Sequence, residues 1–205
     1  MRKPGSMRGL EDLGRVKLST NFFMRDFLYS EIANFYGKPN IPNDPDLAIA
    51  TGRRLCEEIL EPLQTTFGRI AIRSGYRSAD VTAFGNAQGH GASIEANAAY
   101  HIWDMSDHKG RVGAAACIVI PWFSEQYAKG ADWRSLAWWV HDHLPYAHMQ
   151  FYPKLCAFNV LWREEGCAGI DSFIAPRGLL TRPGMPNFQG DHANWYAEFP
   201  VLKQS

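Results

Sequence analysis

The sequence predicts an α+β fold built around one main domain. Segments of alternating polar and apolar residues indicate half-buried strands, segments with helical hydrophobic spacing indicate amphipathic helices, and a Gly- and Pro-rich C-terminal stretch has neither pattern. The chain has 205 residues, of which 46% are hydrophobic and 20% charged, as in ordinary globular proteins. We therefore expect a flexible lead-in at residues 1–16, a domain at 17–163 and an irregular extension at 164–205 wrapped on that domain.

The charge balance and the distribution of apolar residues exclude several classes of partner. Lysine plus arginine and aspartate plus glutamate number 21 each, so no global field draws the chain to nucleic acid or to an anionic membrane. The longest uncharged apolar stretch, at 112–124, contains a proline and falls short of the roughly 20 residues that a membrane-spanning helix needs. The N-terminus has no apolar signal-peptide region, which predicts synthesis in the cytoplasm, and the irregular cysteine spacing predicts no disulfide scaffold.

Helices and one strand are predicted in the first part of the chain. Aromatic residues in the segment 22–36 have the spacing of a short amphipathic helix. Asp44 followed by Pro45 is an N-cap signature, and the apolar stripe after it predicts a longer helix. Pro62 should end or kink that helix, because its ring removes a hydrogen bond. The alternating segment at 69–74 then predicts a half-buried strand.

Two further strands and a helix are predicted before the C-terminal stretch. The apolar run at 114–120 is typical of a strand buried on both faces. Asp132 caps a helix that extends to His143, with an apolar stripe broadened by tryptophans. The segment at 146–152 alternates, which places His148 on a polar face of a sheet.

Histidines and acidic residues are concentrated in the middle of the chain. Imidazole and carboxylate groups bind catalytic metals and act as general acids and bases, so their concentration predicts a metal or acid–base site. One histidine alone is weak evidence, because most histidines are simply hydrogen-bonded or solvent-facing. The concentrated residues are His90, Glu95, His101, Asp104, Asp107, His108, His141, Asp142, His143 and His148.

Residues 17–152 resemble the zinc D-alanyl-D-alanine peptidases, which share the fold of the hedgehog signalling domain and of lysostaphin-type enzymes. The resemblance is carried by the order of LSTNFFMRDFLYSEIA, then LCEEILEPLQTTFGRIAIRSGYRSADV, then a His-containing loop, GAAACIVIP and a strand with His148. The element SGYRS at 74–78, behind an alternating strand, is the best match. It is specific as a marker of the fold and does not prove activity.

The resemblance implies a small antiparallel sheet with helices packed on one face and one zinc ion in a groove on the other face. It also implies that this groove binds peptidoglycan stem peptides. By motif match, Arg77 takes the place of the arginine that steadies the substrate, and His148 takes the place of the last metal-binding histidine. Asp142, six residues before His148, is the nearest acidic match to the general base.

The metal motif departs from the family pattern. Members read roughly H-x-x-G-x-A-x-D, whereas the segment GAAAC has Cys117 in the place of the aspartate and Gly110 in the place of the histidine. Thiolate and imidazole are both good zinc ligands, so His101, Cys117 and His148 are the leading metal set. Cys117 as a plain core residue is the alternative. The substitute ligands are His90, Asp104 and His108.

Two hypotheses about function follow, and whether the chain is an enzyme stays open between them. The first is a zinc-dependent D,D-peptidase-like hydrolase, a carboxypeptidase or endopeptidase acting on peptidoglycan stem peptides. The second is a catalytically degenerate relative that binds peptides or serves as a structural component. A phage or phage-like particle is a suitable context for both, because a wall enzyme without a signal peptide needs another way to reach its substrate.

Overall fold

The computed structural model describes residues 1–91 and 93–203 and has an α+β architecture with one six-stranded mixed sheet. The strand order is β1-β2-β4-β3-β5-β6, and every neighbouring pair is antiparallel except β3 and β5, which are parallel. The strands are β1 (Ala71–Ser74), β2 (Gly113–Val119), β3 (His148–Phe151), β4 (Phe158–Arg163), β5 (Gly169–Ser172) and β6 (Gly178–Thr181).

Helices precede, interrupt and follow the first strands. None of the helices in the described part of the chain is long and apolar enough to cross a membrane. The helices are α1 (Met7–Gly14), α2 (Glu31–Phe35), α3 (Pro45–Leu55), α4 (Glu61–Phe67), α5 (Ala79–Ala87), α6 (Ile94–Asn97), α7 (Pro121–Ala128) and α8 (Trp133–His143).

The main core lies between one face of the sheet and helices α3, α4 and α8. Alternate residues of β2 enter this core, among them Ala114, Ala116 and Ile118, and all three are fully buried. Gly52 in α3 allows a close approach, because a Cβ atom there would lie 2.7 Å from the ring of the buried Trp103. The other residues of each strand point to the opposite side of the sheet, which we call the outer face.

The sheet is mixed and not purely antiparallel as expected. Strand β4 runs antiparallel to β3, and β5 follows β4 after the short loop 164–168. The chain reverses in that loop, and β5 then pairs with the free edge of β3 instead of with β4. Two successive reversals make β3 and β5 parallel.

The structure also changes two helix predictions. Pro62 does not end its helix, because a π-helical turn at Cys56–Leu60 precedes α4 and the helix extends to Phe67 before Gly68 ends it. The wider turn accommodates a residue that has no N–H to donate. The segment 22–36 forms two short helices instead of one, the 3₁₀ turn Met24–Phe27 and α2, which Ser30 caps.

Both ends of the chain are more ordered than expected. The predicted lead-in contains α1, which is capped by Ser6 and buries Leu13 completely. The predicted extension is not irregular throughout, because it supplies β5 and β6 to the sheet. The following segment, residues 187–203, is mostly irregular and packs on the helical side, where Trp139 donates its Nε1–H to the Pro200 carbonyl at 3.2 Å. Residues 204 and 205 lie outside the described part.

Candidate functional site

Four polar side chains lie side by side across the outer face. The strand register places Cys117 of β2 opposite Asn159 of β4, Asn159 opposite Gln150 of β3, and Gln150 opposite Asp171 of β5. We call this line of residues the polar row. It exists because each of these strands alternates, with the neighbours of the row residues buried in the main core.

A chain of hydrogen bonds connects most of the polar row. The Asn159 amide donates to the Tyr152 hydroxyl at 2.9 Å, and that hydroxyl donates to Gln150 Oε1 at 2.7 Å. Gln150 Nε2 donates to Asp171 Oδ1 at 2.9 Å, and Asp171 Oδ2 lies 2.6 Å from His148 Nε2. Burial alone would raise the pKa of Asp171, but the hydrogen bonds from His148 and Gln150 outweigh it and keep the pKa low. Asp171 is therefore a carboxylate that orients both neighbours.

His101 lies against the polar row in a fixed tautomer. Its Nδ1 is 2.8 Å from the Gly75 carbonyl oxygen, which only accepts, so Nδ1 carries the proton and Nε2 keeps its lone pair. Burial chiefly lowers the pKa of His101 to about 4, and the hydrogen bonds to Gly75 and Asn159 oppose this only in part. At neutral pH the imidazole is uncharged.

Arg77 and Cys117 differ in charge at this face: the first is a cation and the second a neutral thiol. Arg77 Nε is buried and has no hydrogen-bond partner among the described residues, although the guanidinium is a cation whose pKa burial lowers. The Cys117 thiol is partly buried, and burial chiefly raises its pKa to about 11. Arg77 therefore has an unused donor, whereas Cys117 is a neutral thiol at pH 7.

A basic groove of about 540 Å³ is lined in part by His148, which lies next to the Asp171 end of the polar row. Asp107 binds Arg111 through two hydrogen bonds, at 2.9 and 2.7 Å, and Arg163 lies next to this pair. Burial and the neighbouring Arg111 charge lower the pKa of Arg163, because both disfavour its cationic form. An anion in the groove would relieve that repulsion. The groove is lined by Tyr100, Lys109, Arg111, His148, Gln150, Arg163 and Cys167, among others.

The predicted metal ligands do not form a compact group in this geometry. Within residues 1–91 and 93–203, one group of three has potential ligand atoms that all lie within 4.8 Å of one another, and it consists of His141, Asp142 and His192. This group could hold a metal ion, and we call it the tail cluster. His101, Cys117 and His148 lie on the outer face without converging in that way.

The substitute ligands have other partners. His90 Nε2 lies 3.2 Å from the Tyr36 hydroxyl. Asp104 accepts from the Tyr76 hydroxyl at 3.0 Å and from the main-chain N–H groups of Asn43 and Asp44, which ties the start of α3 to the core. His108 is exposed.

Asp142, predicted as the general base, belongs to the tail cluster. Its Oδ1 lies 2.8 Å from His192 Nδ1, and its Oδ2 accepts from the Tyr196 hydroxyl at 2.7 Å. The carboxylate next to His148 is instead Asp171, which the sequence motif did not indicate. Its position in the alternating segment 169–172 is the signal that could have found it.

Comparison with known proteins leaves the family assignment as a prediction. No family model matches the chain, and no curated protein or solved structure matches it either. The zinc D,D-peptidase resemblance therefore rests on the motifs quoted above, and the hedgehog-like form of the α+β fold is a finer statement than these comparisons support.

Proposed function

We propose that the outer face binds a peptide through its carboxylate groups, in a D,D-peptidase-like domain that has lost the family's catalytic metal centre. The observation that carries the proposal is the buried, unpartnered Nε of Arg77 beside the polar row. A buried guanidinium N–H without a partner is costly, and a carboxylate ligand is its best complement.

The charges around the row support a ligand with more than one carboxylate. Arg77 lies near the His101 side of the face, since its main-chain N–H donates to the His101 carbonyl at 2.8 Å. The basic groove with Lys109, Arg111 and Arg163 continues from the His148 side. Stem peptides of peptidoglycan carry carboxylates on their D-residues, and they are the ligands that the family resemblance implies.

Binding without hydrolysis agrees best with the chemistry of the side chains. Among the described residues, His101, Cys117 and His148 do not bring their ligand atoms within 4.8 Å of one another, as the ligands of one zinc ion would. A continuous chain of hydrogen bonds also connects the side chains from Asn159 to His148, and such a network suits a rigid recognition surface. Such a domain would act as a peptide-binding or structural component, for which a phage or phage-like particle is a suitable setting.

Zinc-dependent hydrolysis is the second candidate, and two observations favour it. His101 donates Nδ1–H to a carbonyl and keeps the lone pair on Nε2, and His148 is oriented by the Asp171 carboxylate. A metal-binding histidine usually makes such a hydrogen bond with the ring nitrogen that does not bind the metal. His101, Cys117 and His148 would then hold zinc, which would supply an activated water, with Arg77 steadying the substrate carbonyl.

A single peptide decides between the two candidates. The pentapeptide L-Ala-D-Glu-L-Lys-D-Ala-D-Ala is titrated into the full chain by calorimetry, and the same mixture is checked for cleavage by chromatography with zinc or with a chelator. We expect binding that Arg77→Gln weakens at least tenfold, with no cleavage under either condition. Arg53→Gln, which removes a charge from an exposed position of α3, is the matched control and should bind normally.

Cleavage that needs zinc and disappears in His148→Ala would establish the hydrolase instead. Absence of binding, or equal binding by the wild type and Arg77→Gln, would remove the peptide-binding proposal.

A further inference from the structure

The tail cluster lies where the segment 187–203 crosses the last turn of α8. His141 and Asp142 are consecutive in that turn, and His192 comes directly before the 3₁₀ turn Ala193–Trp195. The His192 ring is buried and stacks on Trp138 with a centroid distance of 4.0 Å and an interplanar angle of 4°. Its orientation is therefore fixed by packing.

Main-chain carbonyls determine which nitrogen of each imidazole carries the hydrogen. His141 Nε2 lies 2.9 Å from the Phe188 carbonyl oxygen, and His192 Nε2 lies 3.1 Å from that of Asn187. A carbonyl oxygen only accepts, so both Nε2 atoms carry hydrogen and both Nδ1 atoms are left as potential ligands. Metal-binding histidines are commonly oriented in this way.

His192 and Asp142 present two potential ligand atoms side by side. His192 Nδ1 lies 2.8 Å from Asp142 Oδ1, and with the hydrogen of the ring on Nε2 both atoms direct lone pairs into the space between them. A metal ion can accept both lone pairs. The C-terminal end of α8 adds partial negative charge at the same place, which favours a cation further.

We propose that the tail cluster binds a zinc ion through His141 Nδ1, His192 Nδ1 and an oxygen of Asp142. Two imidazoles and one carboxylate are a donor set for zinc, whereas magnesium and calcium prefer oxygen ligands alone. The Tyr146 hydroxyl donates to His141 Nδ1 at 2.6 Å, so the ion must replace this hydrogen bond.

The ion fastens the C-terminal segment to the domain. His192 is separated by 50 residues from Asp142. An ion bound by both side chains therefore joins two parts of the chain that only tertiary contacts hold together. Downstream of it, Phe199 packs on Phe67 and Trp122 with ring centroids 6.0 and 5.1 Å apart. Zinc binds the folded arrangement only and therefore stabilises it.

The test is a metal-binding measurement on the full-length chain. Chelator-treated protein is dialysed against zinc, and bound metal is measured by mass spectrometry, with one ion per chain expected. His192→Gln and Asp142→Asn should each weaken zinc binding at least tenfold. The control is His143→Gln in the same helix turn, because His143 bonds to the Trp139 carbonyl and lies outside the cluster.

Cobalt substitution separates this site from the outer face and does not depend on a variant folding. Co²⁺ at the tail cluster should give the visible bands of a four-coordinate site without a thiolate charge-transfer band, since no cysteine belongs to the cluster. A thiolate band would assign the metal to a site with a cysteine, outside the tail cluster, and overturn the proposal. Wild-type protein without bound zinc, or His192→Gln protein that binds zinc as tightly as the wild type, would also overturn it. Loss of zinc in His192→Gln with unchanged peptide binding shows that this site is independent of the proposed function.

Discussion

The polar row, with His101 and His148 beside it, and the tail cluster both bring histidines to a carboxylate, but they are held by different kinds of structure. The row takes its residues from four adjacent strands, where backbone hydrogen bonds fix the register of every member. The tail cluster takes two residues from one helix turn and the third from an irregular segment. The row is therefore as stable as the sheet, whereas the tail cluster can open while the sheet remains folded.

Loss of a central row residue should have the largest effect on stability. Asn159→Leu keeps the size of the side chain but removes the amide that donates to the Tyr152 hydroxyl and lies against His101. Leaving buried polar groups without partners should lower the free energy of unfolding by about 3 kcal/mol. Urea denaturation measures this change, and Leu161→Met in the same strand is the control. A change below about 1 kcal/mol would mean that the row is not a structural unit.

Part of the pH dependence of stability should come from His101, which lies against the row. The pKa of His101 is about 4 in the folded protein, below the ordinary value of 6.5, so the unfolded chain binds the proton more readily. The wild type should therefore lose about 3 kcal/mol of stability as the pH falls from 6.5 to 4. Urea titrations of His101→Gln should lack this part of the loss, whereas the exposed His90→Gln should retain it. Parallel curves for wild type and His101→Gln would contradict the assignment.

Opening of the tail cluster should affect only its own surroundings. In zinc-free buffer, His192→Gln removes the ring that stacks on Trp138, so global stability should fall by only about 1 kcal/mol. Hydrogen exchange should speed up at residues 187–203 and stay unchanged in β2 and β4. Equal acceleration in both regions would show that the tail and the sheet unfold together.

The last prediction concerns no change in stability, but a difference between two thiols in their rate of chemical modification. Cys167 is exposed, whereas burial raises the pKa of Cys117 to about 11 and reduces its thiolate fraction at pH 7.5. An aromatic disulfide reagent should therefore modify Cys117 on the order of 100 times more slowly than Cys167. Cysteine-to-serine variants assign each phase. Fast modification of Cys117, or protection of it by added zinc, would favour the hydrolase over the binding domain.

Local patterns predicted much of the scaffold of the outer face. The alternation at 69–74 and 146–152 indicated β1 and β3, and the apolar run at 114–120 indicated β2. The alternation also placed His148 on a polar face, where it indeed contacts Asp171. Asp132 was correctly identified as the cap of α8. These features follow from the two- and 3.6-residue periods, which act within a few residues and need no knowledge of distant contacts.

Other parts of both sites have no local signature. β5 and β6 lie in a Gly- and Pro-rich stretch and form because β3 has a free edge to pair with. Asp171 consequently becomes the partner of His148, and Asp142, which is nearer in sequence, does not. His192 lies in a segment without periodicity, so nothing in the neighbouring residues predicted that it would meet His141 and Asp142.

The sequence by itself determined where the chain could form helices and strands and which side of each would be polar, because these properties depend on the spacing of neighbouring side chains. Only the tertiary structure decided which polar side chains meet. Strand register aligned Cys117, Asn159, Gln150 and Asp171 across the sheet, and packing of aromatic rings brought His192 back to α8. Such contacts depend on the closure of long loops, whose outcome is set by the whole core and not by any short segment.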